Sequence, residues 1–337
     1  MSSATRLNGR RNDETRPLTV VFEGLARVDG SARFGFGAFN YVKSLFLCNE
    51  QILTICTGKT PRILFICAST TGTTSALASL SGPIEVRLAN ELPNKATFEV
   101  LVRPLANISA TDAKATASTL KAALEPSLLL AKHPRTLVQL VVQSLSAPLA
   151  GSSSWGSTSN WEGSSTLSTT MVAGQWKDVL LLPAMINASS LALLNASSVP
   201  MRGVAVAVSV GRFAPSAAAS PSQSTLVLDP SEDEAAQLQA GGCFAFLFAD
   251  GAGLQQGAES ENGDCVWSSW KALSGGYDEE ELFAARSLAQ KGARELYKRL
   301  RARMAGQEEQ EVEERMAADE SRADLVGVGD DDDKMEI

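Results

Sequence analysis

The sequence predicts a single domain that combines helices and strands, and three observations support this. The chain has 337 residues, 44% hydrophobic and 20% charged, which is enough to bury one good core or two small ones. Segment 95–104 alternates apolar and polar side chains, as a half-buried strand does. A helical stretch, 111–124, and an almost continuously apolar strand, 136–144, follow it. One domain with added segments is therefore expected.

The N-terminal part of the chain predicts strands interrupted by an unusual segment. Residues 1–16 are polar and carry both charge signs, so we expect a disordered lead-in to an apolar run at 18–22 and a strand within 28–37. Residues 38–72 differ in composition from both flanks and are interpreted as an insertion or a translated intron. An ordinary pair of strands with a loop is the alternative. The stretch 73–91 then predicts a strand, a Gly-Pro turn and a second strand.

The middle of the chain predicts a helix between two strands and then a long loop. Thr111 and Asp112 can cap a helix that continues to Leu124, with Pro126 stopping it or starting a second short helix. The strand that follows, 136–144, is expected to be covered on both faces because it is almost entirely apolar. Residues 146–176 are rich in Ser, Thr and Gly, which predicts a surface loop.

The C-terminal half predicts two further helices and three strands. Pro183 opens a helix to about Asn195, and VAVAVSV at 204–210 predicts a fully buried strand. Strands are expected near 225–228 and 243–248. From Asp278 a last helix places apolar side chains on one face: Leu282, Ala285, Ala289, Ala293, Leu296 and Leu300.

The chain ends in a strongly charged stretch. Beyond Gly306 we expect a flexible acidic tail, 306–337, because charged residues dominate there. The letters DDDDK at 330–334 also spell a protease recognition site, but acidic tails are common in natural proteins. The tail is interpreted as a natural one.

Charge and cysteine content exclude several classes of protein. Lys and Arg number 30 against 38 Asp and Glu, so any contact with nucleic acid must be local. Five cysteines without a CxxC pair predict neither a zinc site nor a disulfide framework, which favours a reducing compartment. Charged residues interrupt the longest apolar region, 41–68, so no membrane span is expected, and the N-terminus lacks the features of a secretory signal. The single histidine, His133, excludes a multi-histidine metal site by count.

Six short motifs occur together in a fixed order. They are VDGSA at 28–32, SGPIEVR at 81–87, NKATFEV at 94–100, HPRT at 133–136, INASSLALLNASSVPMRG at 186–203 and LVLDP at 226–230. In order and spacing they resemble the RNase PH-like subunits of the eukaryotic RNA exosome core ring. The resemblance covers about residues 17–305, apart from 38–72 and 146–176.

This resemblance implies a fold and a set of partners. The fold would be a single α/β (α+β) domain of the RNase PH-like, ribosomal protein S5 domain 2-like type, with a mixed sheet flanked by helices. The partners would be related subunits in a six-membered ring, cap subunits with S1 and KH domains, and RNA threaded through the ring. The family implies roles in RNA degradation and ribosomal RNA maturation in the nucleus, nucleolus and cytoplasm. No cofactor is expected.

Active relatives use inorganic phosphate to attack the last phosphodiester of an RNA 3′ end. The family holds that phosphate with a Gly-Thr-Arg after a buried strand and an Arg on the preceding helix, and a spaced pair of Asp holds Mg²⁺. Gly-Thr-Arg occurs nowhere in this chain, and residues 145–148 read Leu-Ser-Ala-Pro instead. Ser118 stands where we align the family's arginine, with Lys114 and Lys121 as the only cations of that helix. A lysine is a poor substitute for the arginine fork.

Three residues are candidates for a vestigial catalytic site. Asp229 or Asp233 can occupy the place of a catalytic aspartate, and Lys121 is the third candidate. We favour the simpler interpretation of the acidic cluster as a solvated loop between two strands. No metal site is therefore expected.

Four cations near predicted strand ends are candidates for RNA binding: Arg87, Lys95, Arg103 and Arg135. Arginines in such places pair with carboxylates as often as with RNA phosphate, so both interpretations stay open, and Lys95 is expected to be exposed. All five tryptophans lie in polar sequence surroundings, so no aromatic basic patch for stacking bases is expected. RNA contact would then be made through phosphate and be largely independent of base sequence.

Three functions are consistent with these sequence features. The first is an interaction protein that helps to close a ring and offers a few cations to passing RNA. The second is a phosphorolytic 3′-to-5′ exoribonuclease that uses Lys121, Asp229 and Asp233. The third is a homodimeric, metal-dependent nuclease outside the exosome. The missing Gly-Thr-Arg favours the first.

Overall fold

We analysed a computed structural model of the chain. It describes residues 6, 9–22, 24–25, 27–37, 74–105, 110–146, 176–213, 225–232, 234–249, 263–273 and 276–326; for 177, 178, 236 and 307–326 it describes the backbone only. The proposed insertion at 38–72 and residues 147–175 of the serine-rich stretch lie outside the described residues, and both stay predictions.

The described part of the chain contains nine strands and four α-helices. Within it the strands are β1 (Leu18–Phe22), β2 (Gly30–Phe36), β3 (Thr74–Glu85), β4 (Thr97–Arg103), β5 (Thr136–Ser144), β6 (Val204–Phe213), β7 (Thr225–Leu228), β8 (Leu238–Phe248) and β9 (Asp264–Ala272). The α-helices are α1 (Thr111–Leu124), α2 (Lys177–Leu180), α3 (Leu182–Ala196) and α4 (Glu279–Val326). The predicted strands 136–144 and 225–228 and the predicted helix 111–124 have the bounds observed.

The strands form two sheets with a helix between them. The first sheet is mixed, in the order β1-β2-β3-β5-β4, with only β4 and β5 parallel. The second is antiparallel, in the order β7-β6-β8-β9. Helix α3 packs against β2 and β3 on one side and against β6 on the other, while α1 packs on β4. The predicted mixed sheet with helices is confirmed, and a second sheet is added to it.

The sequence of α3 explains its central position. All side chains from Leu182 to Leu193 are buried, and the few polar ones are small or hydrogen-bonded. Buried Asn187 donates from Nδ2 to the carbonyl of Ala207 in β6 at 2.9 Å and accepts from the Ala207 N–H at 2.8 Å. A helix that is apolar all round can be covered on both sides. This one is sandwiched between the two sheets.

Three of the sequence motifs meet at the C-terminal end of α3. Asp29 accepts a hydrogen bond from the Gly82 N–H at 2.6 Å, and Ser198 donates to the Gly82 carbonyl at 2.6 Å. Gly30 lies so close to Ala196 that an added Cβ would be 2.4 Å from its backbone nitrogen. The VDGSA, SGPIEVR and INASSLALLNASS motifs therefore build one structural junction.

Two predictions about strands are wrong. Residues 74–85 form one long strand, β3, rather than two strands and a turn; its register shifts between Ser81 and Ile84, and Gly82 has φ of +143°, which glycine tolerates. Strand β5 is not covered on both faces. Its buried residues alternate with half-buried ones, because α3 covers one face of this sheet and no described element covers the other.

Two further differences between the sequence predictions and the structure involve tryptophans. Trp176, assigned above to the serine-rich loop, is buried in a core cluster with Val179, Leu180, Ala235 and Leu238. Strand β9, which the sequence did not predict, holds two tryptophans, and one of them, Trp270, lies 6.1 Å from the Phe244 ring. The expectation that these tryptophans are surrounded by polar residues is therefore wrong for Trp176.

The last helix extends further than expected. Its predicted apolar face is buried at Ala285, Ala289, Ala293, Leu296 and Leu300. Helix α4 then continues to Val326, where a flexible tail was expected, because residues 307–326 contain no Gly or Pro and many strong helix formers.

The chain divides into two compact units, Met1–Ala293 and Arg294–Ile337. Helix α4 runs from the first unit into the second. None of the described helices is long and apolar enough to span a membrane.

Candidate functional site

An aspartate directly after β7 is held by an arginine that precedes β1. Arg16 donates from Nε to Oδ2 of Asp229 at 2.9 Å and from Nη2 to Oδ1 at 2.7 Å, and its backbone N–H also donates to Oδ2 at 2.9 Å. Arg16 Nη2 donates to Oγ1 of Thr74 at 3.1 Å, and the guanidinium lies 5.4 Å from the centre of the Phe36 ring. Arg16 and Asp229 are both buried, so this is a bidentate ion pair shielded from water.

A second buried ion pair lies beside the first. Arg6 donates from Nε and Nη2 to the two carboxylate oxygens of Glu234 at 3.0 and 2.8 Å. It also donates to the carbonyls of Leu228 and Asp229 at 2.9 and 3.0 Å. A third arginine, Arg10, has Nη atoms 3.9 Å from the Asp229 carboxylate and 3.6 Å from that of Glu234. Three guanidinium groups therefore face two carboxylates.

The N-terminal segment that carries these arginines is docked on the domain. Arg6 and Arg16 are buried, and the Asn12 carbonyl accepts a hydrogen bond from the backbone of β7 at 2.8 Å. The expected disordered lead-in over 1–16 is therefore wrong for Arg6 and for residues 9–16. The physical reason is charge, because the buried carboxylates would be unstable without cations beside them.

Burial and ion pairing act in opposite directions on the two carboxylates. Burial raises the pKa of Asp229, but the charge of Arg16 and its hydrogen bonds lower it more, so the pKa lies below its usual value. Burial likewise raises the pKa of Glu234, and hydrogen bonds from Arg6 and from the Ser231 N–H lower it more. Both side chains are therefore ionised at neutral pH.

Arg16 occupies both carboxylate oxygens of Asp229. A Mg²⁺ ion would have to displace the guanidinium of Arg16 from both oxygens of the carboxylate. Asp233 lies outside the described residues. Within the described ranges, no group of three or more His, Cys, Asp or Glu side chains is placed to hold a metal ion. The interpretation of the acidic cluster as a solvated loop is nevertheless wrong for Asp229 and Glu234, which are buried in ion pairs.

The third catalytic candidate, Lys121, lies in a different place. It lines a cavity of about 770 Å³ between α1 and the end of the first sheet. The cavity is lined by Glu85, Val86, Arg87, Asn90, Thr97, Phe98, Glu99, Val100, Lys114, Ala117, Ser118, Lys121, Leu137 and Gln139. Ser118, aligned above with the family's arginine, is therefore in the same cavity as Lys121.

Lys121 and Asp229 are far apart. Arg16, which holds Asp229, binds Thr74 at the first residue of β3, whereas Lys121 shares its cavity with Glu85 at the last residue of β3. At a rise of about 3.3 Å per residue, the two ends of this twelve-residue strand lie on the order of 30 Å apart. The structure does not bring these two catalytic candidates together.

The segment in the place of the family's phosphate-binding tripeptide is tied to β3 instead. The Leu145 N–H donates to the Ser75 carbonyl at 3.0 Å, and the Ser75 N–H donates to Oγ of Ser146 at 3.2 Å. Ser144 donates from Oγ to the Ser146 carbonyl at 2.7 Å. The hydrogen-bonding groups described in residues 144–146 bind backbone atoms, and none of these three residues carries a guanidinium group.

The four predicted RNA-binding cations fall into two groups. Lys95 binds Glu125 at 2.8 Å and Arg135 binds Glu91 at 3.3 Å, both at the surface. Arg87 and Arg103 are exposed, and no carboxylate of the described residues pairs with either. Only Arg87 lines the cavity. The register of β3, β5 and β4 places Arg87, Lys95 and Arg135 beside one end of the first sheet and Arg103 at the other end. Their binding to RNA stays a prediction.

The arginine cluster is not predicted from the sequence. Arg6, Arg10 and Arg16 lie in a segment that is expected to be disordered, and Glu234 lies in a cluster that is expected to be a solvated loop. One signal was present, since four arginines occur within the first sixteen residues and an acidic cluster lies at 229–234. That signal does not show that the two stretches, more than 200 residues apart, meet.

A family model described as the 3′ exoribonuclease family, domain 1, matches residues 14–198, more than half of the chain. The chain belongs to this family. The resemblance to RNase PH-like proteins that the motifs predicted is thereby confirmed, and residues 14–198 include the first five of the six motifs in full or in large part.

Curated relatives match a shorter stretch of this chain than the family model does. Exosome complex component rrp46 of Schizosaccharomyces pombe is 38% identical over 72 residues, which are 21% of this chain and 32% of the relative. Exosome complex component RRP46 of Saccharomyces cerevisiae is 35% identical over 72 residues, with the same shares. The matched stretch thus spans about a third of the length of these curated relatives.

Solved structures confirm the fold over most of the chain. The crystal structure of rice (Oryza sativa) Rrp46 matches with a TM-score of 0.54 and 21% identity, covering 88% of this chain and 98% of that one. An archaeal exosome core matches with a TM-score of 0.52 and 14% identity, covering 88% and 91%. An Archaeoglobus fulgidus exosome with RNA bound to the active site matches with a TM-score of 0.51 and 15% identity, covering 88% and 93%. At these identities the likeness concerns the fold.

Proposed function

We propose that this member of the 3′ exoribonuclease family is a non-catalytic subunit of an RNA exosome core ring. It would bind related RNase PH-like subunits in a six-membered ring, carry cap subunits with S1 and KH domains, and contact RNA locally. RNA degradation and ribosomal RNA maturation in the nucleus, nucleolus and cytoplasm would be its setting. The names of the two yeast relatives and the fold of the rice and archaeal structures support this proposal.

One observation carries the non-catalytic part of the proposal. Asp229, one of the two candidates for a catalytic aspartate, is bound by Arg16 through both carboxylate oxygens, and Lys121 lies near the opposite end of β3. Phosphorolysis needs a phosphate-binding group and a metal-binding carboxylate within a few ångströms of the same bond. The described residues at neither location combine the two.

The proposal predicts no phosphorolysis by the purified chain. A 3′-extended RNA is incubated with Mg²⁺ in the presence and absence of inorganic phosphate, and nucleoside products are separated by chromatography. We expect no nucleoside diphosphate above the background of a parallel purification from cells that lack the chain. Phosphate-dependent release of diphosphates that follows the protein through two different columns would contradict the proposal. Metal-dependent release of monophosphates without phosphate would instead support the hydrolytic nuclease.

A further inference from the structure

The cavity beside α1 runs along the free edge of the first sheet. Strand β4 is the last strand of that sheet, and four consecutive residues, Thr97 to Val100, line the cavity. Neighbouring residues of a strand point to opposite faces, so a cavity lined by all four extends along the edge itself. On the other side, α1 contributes Lys114, Ser118 and Lys121, whose spacing of four and three places them on one face of the helix.

Three cations surround this cavity. Arg87, Lys114 and Lys121 are exposed, and none of them is paired with a carboxylate of the described residues. Lys95 and Arg135, by contrast, each hold a glutamate. The chain carries a net charge of −8, so a concave site with three unpaired cations is a local exception that attracts anions.

The lining also contains two carboxylates, Glu85 and Glu99. They repel a bare anion but accept hydrogen bonds from hydroxyl and amino groups. A suitable ligand therefore carries phosphate for the cations and hydroxyl or amino donors for the carboxylates. A ribonucleotide has both, and its 2′-hydroxyl is the donor that a deoxyribonucleotide lacks. An acidic peptide would satisfy only the cations.

We propose that this cavity binds a short stretch of single-stranded RNA, with phosphate on Arg87, Lys114 and Lys121 and ribose hydroxyls on Glu85 or Glu99. The inference rests on the proposed function and adds a binding site to it. Of the three cations that line this cavity, only Arg87 is among the four predicted from the sequence.

Fluorescence anisotropy of the full chain with a 5′-labelled oligoadenylate tests this site. The double variant Lys114→Ala/Lys121→Ala should bind the RNA at least about tenfold more weakly. The magnitude of the slope of log K against log salt concentration should decrease by about 1.4, because each phosphate contact on a single strand contributes about 0.7. Lys291→Ala removes a charge of the same kind from an exposed residue that does not line the cavity, and it should leave binding unchanged. Wild-type protein should prefer RNA over the matching DNA, and Glu85→Gln/Glu99→Gln should reduce that preference.

The inference is overturned if the double variant binds RNA as tightly as wild type, or loses no more affinity than Lys291→Ala. It is also overturned if an oligoglutamate peptide competes as well as unlabelled RNA. Recovery of the chain in a ring without lysine-dependent RNA binding would refute this site and leave the proposed function intact. Lysine-dependent RNA binding by a chain that is recovered alone would refute the proposed function instead.

Discussion

Replacing Arg16 by Met should destabilise the protein by about 3–5 kcal/mol, because it removes one partner of a buried ion pair and leaves the charge of Asp229 without its guanidinium. The Arg16 side chain makes two hydrogen bonds to that carboxylate and one to Thr74, so its loss also frees the start of β3, whereas the bond from the Arg16 backbone N–H remains. Arg10, at 3.9 Å, does not supply the same bidentate contact. Urea unfolding followed by circular dichroism measures the change.

The matched control is Arg11→Met, since Arg11 lies in the same segment and is exposed. We expect it to change the free energy of unfolding by less than about 0.5 kcal/mol. Equal effects of the two substitutions would show that the Arg16–Asp229 pair is not formed in solution.

Measuring the free energy of unfolding at lower pH distinguishes the loss of this ion pair from a loss of packing at Arg16. The lowered pKa of Asp229 stabilises the wild-type fold above the unfolded pKa of about 3.9, and the contribution is lost as the pH falls through the lower folded value. In Arg16→Met, burial without the guanidinium raises the pKa of Asp229, so protonation relieves the buried charge. The stability difference between the two proteins should therefore shrink as the pH falls from 7 to 4. A constant difference would mean that packing alone was lost.

Replacing Asn187 by Ala should cost about 2–6 kcal/mol. Strand β7 covers β6 only at Val210–Phe213, and Asn187 of α3 takes the place of a strand at Ala207, where it binds both the N–H and the carbonyl. Its loss leaves two buried backbone groups without partners, at about 1–3 kcal/mol each. Urea unfolding of the variant gives the change in free energy.

Asn195→Ala on the same helix is the control for this substitution. Asn195 is exposed and donates one hydrogen bond, to the Ser31 carbonyl at 3.0 Å. We expect a loss of about 1 kcal/mol. A loss at Asn187 no larger than that at Asn195 would mean that water or another group satisfies Ala207.

Much of the fold was predictable because it is encoded locally. The alternation in β4, the apolar face of α4 and the all-round apolar sequence of α3 each follow from the periodicity of their own residues. Strand β9 was not predicted, because its half-buried tryptophans and serines show no clear alternation of apolar and polar residues. The division of the strands between two sheets depends on pairings that no single segment encodes.

The site was much less predictable, because it depends on contacts between distant segments. Arg16 and Asp229 are 213 residues apart, and each alone resembles a solvated surface charge. Their meeting explains why an aspartate in an LDP motif can be structural rather than catalytic. The cavity cations Lys114 and Lys121 were visible as the only cations of α1, but the fact that Arg87 lines the same cavity follows only from the folded chain.

The most direct test of the ring assignment is to purify the tagged chain from its source cells at moderate salt and to quantify co-purifying chains by mass spectrometry. We expect other RNase PH-like subunits in equal amounts, together with S1 and KH cap proteins, as the ring assignment requires. Recovery of the chain alone, or as a homodimer, would contradict it.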